Sequence, residues 1–304
     1  MREALKYMYM GMYSIIILLG LPLNTLVIYT IFCKMKRTGR VIWFLGLAVT
    51  DLTVCLFLPF QIVSALDDFN WRFGRGLCKF CSFVMFVNMH STALMLSFMS
   101  TDRCLSALVS RACCKSFVSK SMVLLSWTIG TLLSIPSFLF RSVKDTDNGQ
   151  SCIDDYKTTA EGERTLHLVT FTRLFFGLLL PLFVITIGSC FVSMKRSSIQ
   201  IKASKSYRII RAIIIAYFLC WIPYHTFMVM ALVVQSPREL FTVGLPISTI
   251  LAGLNSCVNP IICILMGRSI SMTWMEAAPE TTGEQDQSAE NLTEIKTHHE
   301  QKDL

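Results

Sequence analysis

Seven separate stretches of this chain are each apolar enough and long enough to cross a lipid bilayer, and that repetition constrains the fold more than any other feature. A helix rising about 1.5 Å per residue needs roughly 20 apolar residues to span the hydrocarbon core. Such stretches fall at 8–32, 41–66, 77–101, 121–140, 166–193, 209–234 and 241–266. With 53% hydrophobic and 16% charged residues among 304, and a mean hydropathy of +0.54, there is too little polar surface for a water-soluble domain of this size. The expectation is an all-α membrane protein, a seven-transmembrane helix bundle. The apolar run Tyr13 to Phe32 is too long for a signal peptide, and no small-residue cleavage site precedes the cluster Lys34, Met35, Lys36, Arg37.

The basic residues give an orientation. Lys34, Lys36, Arg37 and Arg40 fill the first loop, Arg111, Lys115 and Lys120 the second on that side, and Lys195, Arg196, Lys202, Lys205, Arg208 and Arg211 the third. By the positive-inside rule these loops are cytoplasmic. The opposite loops carry Asp67, Asp68 and the acids from Asp145 to Asp155, so the amino terminus is expected outside and the carboxyl terminus inside. The net charge of +8 is then a matter of topology, and its dispersal into loop anchors argues against nucleic acid. Three parts are expected: the bundle over 1–266, a short amphipathic eighth helix over 267–275 with Ile270 and Trp274 as its apolar stripe, and a disordered acidic cytoplasmic tail over 276–304. Thr281, Thr282, Ser288, Thr293 and Thr297 stand among acids in that tail, which is either simply solvated or a phosphorylation-dependent docking segment.

Polar groups inside the spans are the candidates for function, because lipid leaves them no water. Asp51 lies in the second span; Asn88 and Thr92 in the third, and Asn255, Ser256 and Asn259 in the seventh, stand at similar depth. Oxygens and amides around one carboxylate suit either a sodium ion or a plain hydrogen-bond network. Pro260 cannot donate to the carbonyl of Ser256, so the seventh helix is weakened there. Arg173, eight residues before Pro181, and Arg141, at the end of the fourth span, place two guanidiniums in the outer half of the bundle with no obvious acidic partner in sequence. They suggest a ligand carboxylate or phosphate, with snorkelling to the headgroups as the alternative. Asp102 and Arg103 end the third span on the cytoplasmic side. Of twelve cysteines, Cys78 and Cys152 lie on the outer face, where a bridge between them is the economical proposal. The string Cys78-Lys79-Phe80-Cys81 also has redox spacing, but it opens a membrane helix, so Cys81 reads as a buried thiol. Cys113 and Cys114 are either palmitate acceptors or idle thiols.

Together these residues resemble the rhodopsin-like family of G-protein-coupled receptors over residues 8–266. The matches are Gly20-Leu21-Pro22-Leu23-Asn24, Leu47-Ala48-Val49-Thr50-Asp51, Cys78, Asp102-Arg103-Cys104, Trp127, Pro136, Pro181, Cys220-Trp221-Ile222-Pro223 and Asn259-Pro260. Trp71-Arg72-Phe73-Gly74, Thr172-Arg173, Tyr224-His225-Thr226 and Gly244-Leu245-Pro246 look like its chemoattractant branch, which holds the chemerin and formyl-peptide receptors. The resemblance implies an extracellular peptide or protein ligand whose carboxylate end is received by Arg141 and Arg173, with Phe86, Tyr224 and His225 in the same pocket. It implies a sixth helix that swings at Trp221 and Pro223, with Asp102, Arg103 and Pro260 as further switch elements. It also implies a heterotrimeric G protein and arrestin as partners and signalling to calcium and chemotaxis; no cofactor is expected, and a sodium ion at Asp51 stays one of two alternatives, a plain hydrogen-bond network being the other. Several residues depart from the pattern: Cys263 and Ser189 stand where tyrosines are expected, Tyr217 replaces a phenylalanine, and Ser110-Arg111 replaces a proline and an apolar residue. These departures keep open an atypical receptor that binds and internalises ligand with weak coupling. A transporter or photoreceptor fits less well, since no interrupted helices repeat between the halves and the seventh span has no lysine for retinal. No His-Glu-x-x-His, Gly-x-Ser-x-Gly or phosphate-binding glycine loop marks an enzyme.

Overall fold

The structure is a computed structural model that describes residues 2–35, 38–109, 116–146, 149–156, 161–199, 205–233 and 238–276. It contains the helices α1 (Arg2–Lys34), α2 (Gly39–Leu66), α3 (Gly74–Val109) and α4 (Ser116–Leu139), then the strands β1 (Arg141–Thr146) and β2 (Gly149–Asp154). There follow α5 (Gly162–Leu174), a π-helical turn (Phe175–Leu179), α6 (Leu180–Ile199), α7 (Lys205–Val233) and α8 (Arg238–Glu276). Because α5, the π turn and α6 run on as one span, these helices make seven membrane crossings. The helices overrun the apolar stretches at several ends; α3 begins at Gly74 and continues to Val109, since backbone hydrogen bonding carries on where the lipid stops. Outward-facing residues such as Leu18, Phe183 and Leu219 are exposed and apolar, the arrangement lipid requires.

Helix α8 is bounded by Arg238 and Glu276 and contains Pro246 and Pro260; a separate short helix over 267–275 is not shown. The compact bundle is Met1–Ile264. Residues 277–304 of the polar tail, the pairs Ser110-Arg111 and Cys113-Cys114, and the basic residues Lys36, Arg37, Lys115 and Lys202 lie outside the described residues.

Helix α3 is the central post, touching α2, α4, α6, α7 and β1. It meets α4 closely because α4 offers a stripe of small buried residues, Ser119, Ser126, Gly130, Ser134 and Ser137. A Cβ at Gly130 would overlap the Ser91 hydroxyl. Pro181 and Pro260 have no N–H to donate to the carbonyls of Gly177 and Ser256, and the π turn sits just before Pro181.

Candidate functional site

At one end of the bundle the β1–β2 hairpin lies across the helices. Its antiparallel register sets Arg141 opposite Asp154 and Val143 opposite Cys152. Cys78 and Cys152 form a disulfide, so β2 is tied to the start of α3, and Cys81 remains a buried free thiol. Trp71, 1% exposed, packs beside this bridge; its backbone N–H donates to the Gln150 carbonyl at 2.6 Å and its indole N–H to the Gly74 carbonyl at 2.9 Å. Gly74 has φ +73°, which a side chain would disfavour, so the Trp71-Arg72-Phe73-Gly74 string is a turn that anchors the hairpin. At the other edge the Asp155 N–H donates to the Phe140 carbonyl at 2.7 Å.

Below the hairpin lies Arg173, only 2% exposed. One terminal nitrogen donates to the Ser137 hydroxyl at 2.9 Å; the other donates to Asp154 Oδ2 at 3.3 Å and lies 3.5 Å from the Tyr224 hydroxyl. The guanidinium carbon sits 3.8 Å from the centroid of the Phe86 ring, a cation–π contact. Arg141 donates to the other oxygen, Asp154 Oδ1, at 3.1 Å, and the Tyr156 hydroxyl donates to Oδ2 at 3.4 Å. The expectation that the two arginines lack an acidic partner is therefore corrected: Asp154 serves both. Arg173 does not snorkel; its head is turned inward. Burial pushes the Asp154 carboxyl up, but the guanidiniums of Arg141 and then Arg173 outweigh this and hold it below the usual carboxylate range. Two cations thus share one ionised acid, and Arg173 Nε has no partner among the described residues. Such a site can accept a further carboxylate.

Ring contacts continue inward from this cluster. Tyr224 lies 5.9 Å from both Phe86 and Trp221, and Trp221 lies 6.3 Å from Tyr217, centroid to centroid. His225 is buried beside Trp221, and its Nε2 has no hydrogen-bond partner among the described residues. Tyr217, fully buried, donates its hydroxyl to the Gly177 carbonyl at 2.7 Å, with the Met89 carbonyl at 3.3 Å. Gly177 is the residue whose helical donor Pro181 removes, so this hydroxyl fills the gap.

Deeper still, Asp51 is 0% exposed; its Oδ1 accepts from Asn88 Nδ2 at 2.8 Å and its Oδ2 from Asn259 Nδ2 at 2.9 Å. Of the other residues expected here, Thr92 and Asn255 are buried with side-chain polar atoms that make no hydrogen bond among the described residues. Ser256 contributes its carbonyl, left without a helical donor by Pro260, and Asn24 of α1 donates to it at 2.8 Å. Asn24 was visible in the sequence only as part of a family match, and Asp154 only as one acid among several in a loop. At the opposite end of α3 from the disulfide, Arg103 Nε lies 4.0 Å from Asp102 Oδ2. Cys263 packs against an apolar cluster of Val27, Ile31, Val41 and Ala48, and Ser189 is half-buried on α6.

Comparison with known proteins agrees with this arrangement. Residues 23–262 match the family described as 7 transmembrane receptor (rhodopsin family). Chemerin-like receptor 1 of Bos taurus is 34% identical over 288 residues, covering 88% of this chain and 79% of the relative. Chemerin-like receptor 2 of Mus musculus is 33% identical over 282 residues, covering 88% and 78%. C5a anaphylatoxin chemotactic receptor 1 of Oryctolagus cuniculus is 32% identical over 286 residues, again 88% and 78%. Since the family match extends from the first crossing to the last, and relatives of this kind align with most of the chain, the protein belongs to the rhodopsin family of seven-transmembrane receptors, among its chemoattractant receptors.

Proposed function

We propose that this receptor sits in the plasma membrane with its amino terminus outside and responds to an extracellular peptide chemoattractant, chemerin-like or formyl-peptide-like. The peptide's terminal carboxylate is received by Arg173 and Arg141, and Phe86, Tyr224 and His225 line the rest of the pocket. The observation that carries this reading is Arg173, a buried guanidinium with an unpartnered Nε above an aromatic floor. A buried cation turned away from the headgroups has strong affinity for an anion, and Asp154 is shared with Arg141. The basic loops support the orientation. A ligand seated on Tyr224 presses on Trp221, and Pro223 gives α7 a joint at which to swing. Ligand from one side and an inhibitory-class heterotrimeric G protein at the Asp102–Arg103 end from the other then bias one equilibrium between two packings, leading to calcium release and chemotaxis in inflammatory responses. Arrestin is the second intracellular partner.

A sodium ion held at Asp51 belongs to the same reading. Among the described residues the carboxylate has only the Asn88 and Asn259 amides as hydrogen-bond partners, and Asn259 Oδ1, Asn255 Oδ1 and Thr92 Oγ1 are buried oxygens with no hydrogen bond there. Oxygen donors with one negative charge suit a hard cation.

The test is a side-by-side dose response to the carboxyl-terminal chemerin peptide and to a formyl peptide, in cells carrying the full chain on their surface, read by G-protein dissociation and arrestin recruitment. Silence in both readouts for every ligand of this branch would sink the reading. A second reading, a receptor that internalises ligand but couples poorly, is favoured by Cys263, which packs without a hydroxyl among Val27, Ile31, Val41 and Ala48, and by Ser189. Replacing both with tyrosine should then raise coupling; no gain counts against it.

A further inference from the structure

Asp154 is too firmly placed to be an incidental loop acid. The strand register sets it directly across from Arg141, the disulfide holds β2 two residues earlier, and the next backbone N–H is bonded to Phe140. Its two oxygens are divided, one to Arg141 at 3.1 Å and one to Arg173 at 3.3 Å. Neighbouring Lys144 does not add to the balance, because Asp155 lies 2.8 Å from its ammonium. Two guanidiniums and one carboxylate leave a single positive charge in the pocket, at a carboxylate whose side chain is 21% exposed and so open to an incoming group. Without Asp154 the same arginines would form a doubly charged fork, the arrangement that suits phosphate, sulfate or paired acids.

We propose that Asp154 determines the specificity of this pocket: by occupying one face of both arginines it sets the site to accept a single carboxylate and to reject a dianion. The inference deepens the reading of the pocket as the seat of a peptide carboxylate and rests on it. Asp154 also limits affinity, since an incoming carboxylate approaches a like charge while it gains the free edge of Arg173. Neutralising Asp154 therefore strengthens anion binding and shifts preference toward the higher charge.

The experiment has two arms, both on the full chain. In the first, wild type and Asp154→Asn are purified into lipid nanodiscs, and thermal protection is titrated with acetate and with inorganic phosphate. Phosphate should protect the variant at about tenfold lower concentration than it protects wild type, while acetate shifts less. In the second, cells respond to the chemerin carboxyl-terminal peptide as free acid and as amide, and Asp154→Asn should raise the acid-to-amide potency ratio about tenfold. An unchanged anion preference, or equal loss of acid and amide responses, would make Asp154 a hairpin strut and overturn the proposal. If neither peptide acts on either protein, the peptide reading has failed, and the anion titration still decides the role of Asp154. Should Asp154→Asn not reach the membrane, Arg141→Gln tests the same balance in reverse: the pocket becomes neutral, and both the acid preference and the anion protection should vanish. Their persistence would overturn the proposal.

Discussion

Asp154 on the hairpin and Asp51 inside the bundle are both acids held by side-chain partners, yet they are held in opposite ways. Asp154 lies between two guanidiniums and a tyrosine hydroxyl, so its surroundings carry more positive charge than it cancels. Asp51 lies between two carboxamides, which orient it without neutralising it. The partners differ in charge, two cations at Asp154 and two neutral amides at Asp51, and the proposed ligands differ with them: an anion at the hairpin, a cation in the middle of the bundle. Exposure follows the same division, since Asp154 is 21% exposed and Asp51 fully buried. Asp154 keeps an exposed edge, while Asp51 is sealed among its neighbours.

Cutting the covalent tie of the hairpin should break this contrast most severely. Cys152→Ser releases a closure spanning 74 residues, worth about 4 kcal/mol by loop entropy, and frees Asp154 from both arginines while Asp51 keeps its amides. Thermal unfolding should fall accordingly. Next in size, Asp51→Asn should abolish any sodium dependence of ligand affinity and leave the acid-to-amide preference intact; sodium dependence that survives would separate the ion from Asp51. Smaller effects are expected at the two proline joints. Asn24→Ala removes the donors to Gly20 and Ser256 and strands a buried carbonyl, a loss of about 1–3 kcal/mol in thermal or denaturant unfolding. Tyr217→Phe strands the Gly177 carbonyl with one strong bond lost, near the lower end of that range at about 1 kcal/mol. The smallest effect is expected from mild acid. The Asp154 carboxyl is held below its usual range, so its stabilising pairing is complete above that range and is lost only as pH falls through the depressed value. Peptide-acid preference should stay flat from neutral pH down to the ordinary carboxylate range.

Much of the bundle could be read from the chain because lipid imposes a length and a composition on every crossing. The seven apolar stretches correspond to seven crossings, and Pro260 announced a freed carbonyl at Ser256. The residue that fills that gap could not be read, since Asn24 is 232 positions away and becomes relevant only once α1 and α8 lie side by side. Tyr217 was visible as a departure from the family pattern, but its use depends on the carbonyl that Pro181 frees in another helix. Asp154 was hardest to see. Several acids share that loop, and only the hairpin register and the tether at Cys152 single out the one that faces Arg141 and Arg173. Local chemistry marks the groups that need partners; tertiary packing chooses the partners.

The central claim is that Arg173 reads a carboxylate, and the most direct measurement compares Arg173→Ala with wild type on one peptide in two forms, free acid and amide, at matched surface expression. The response to the acid should be abolished, by about a hundredfold or more in potency if a buried charge-assisted pair is lost, while the response to the amide is little changed. Equal loss for acid and amide would contradict a carboxylate clamp and leave Arg173 as a support for Asp154, Ser137 and Tyr224.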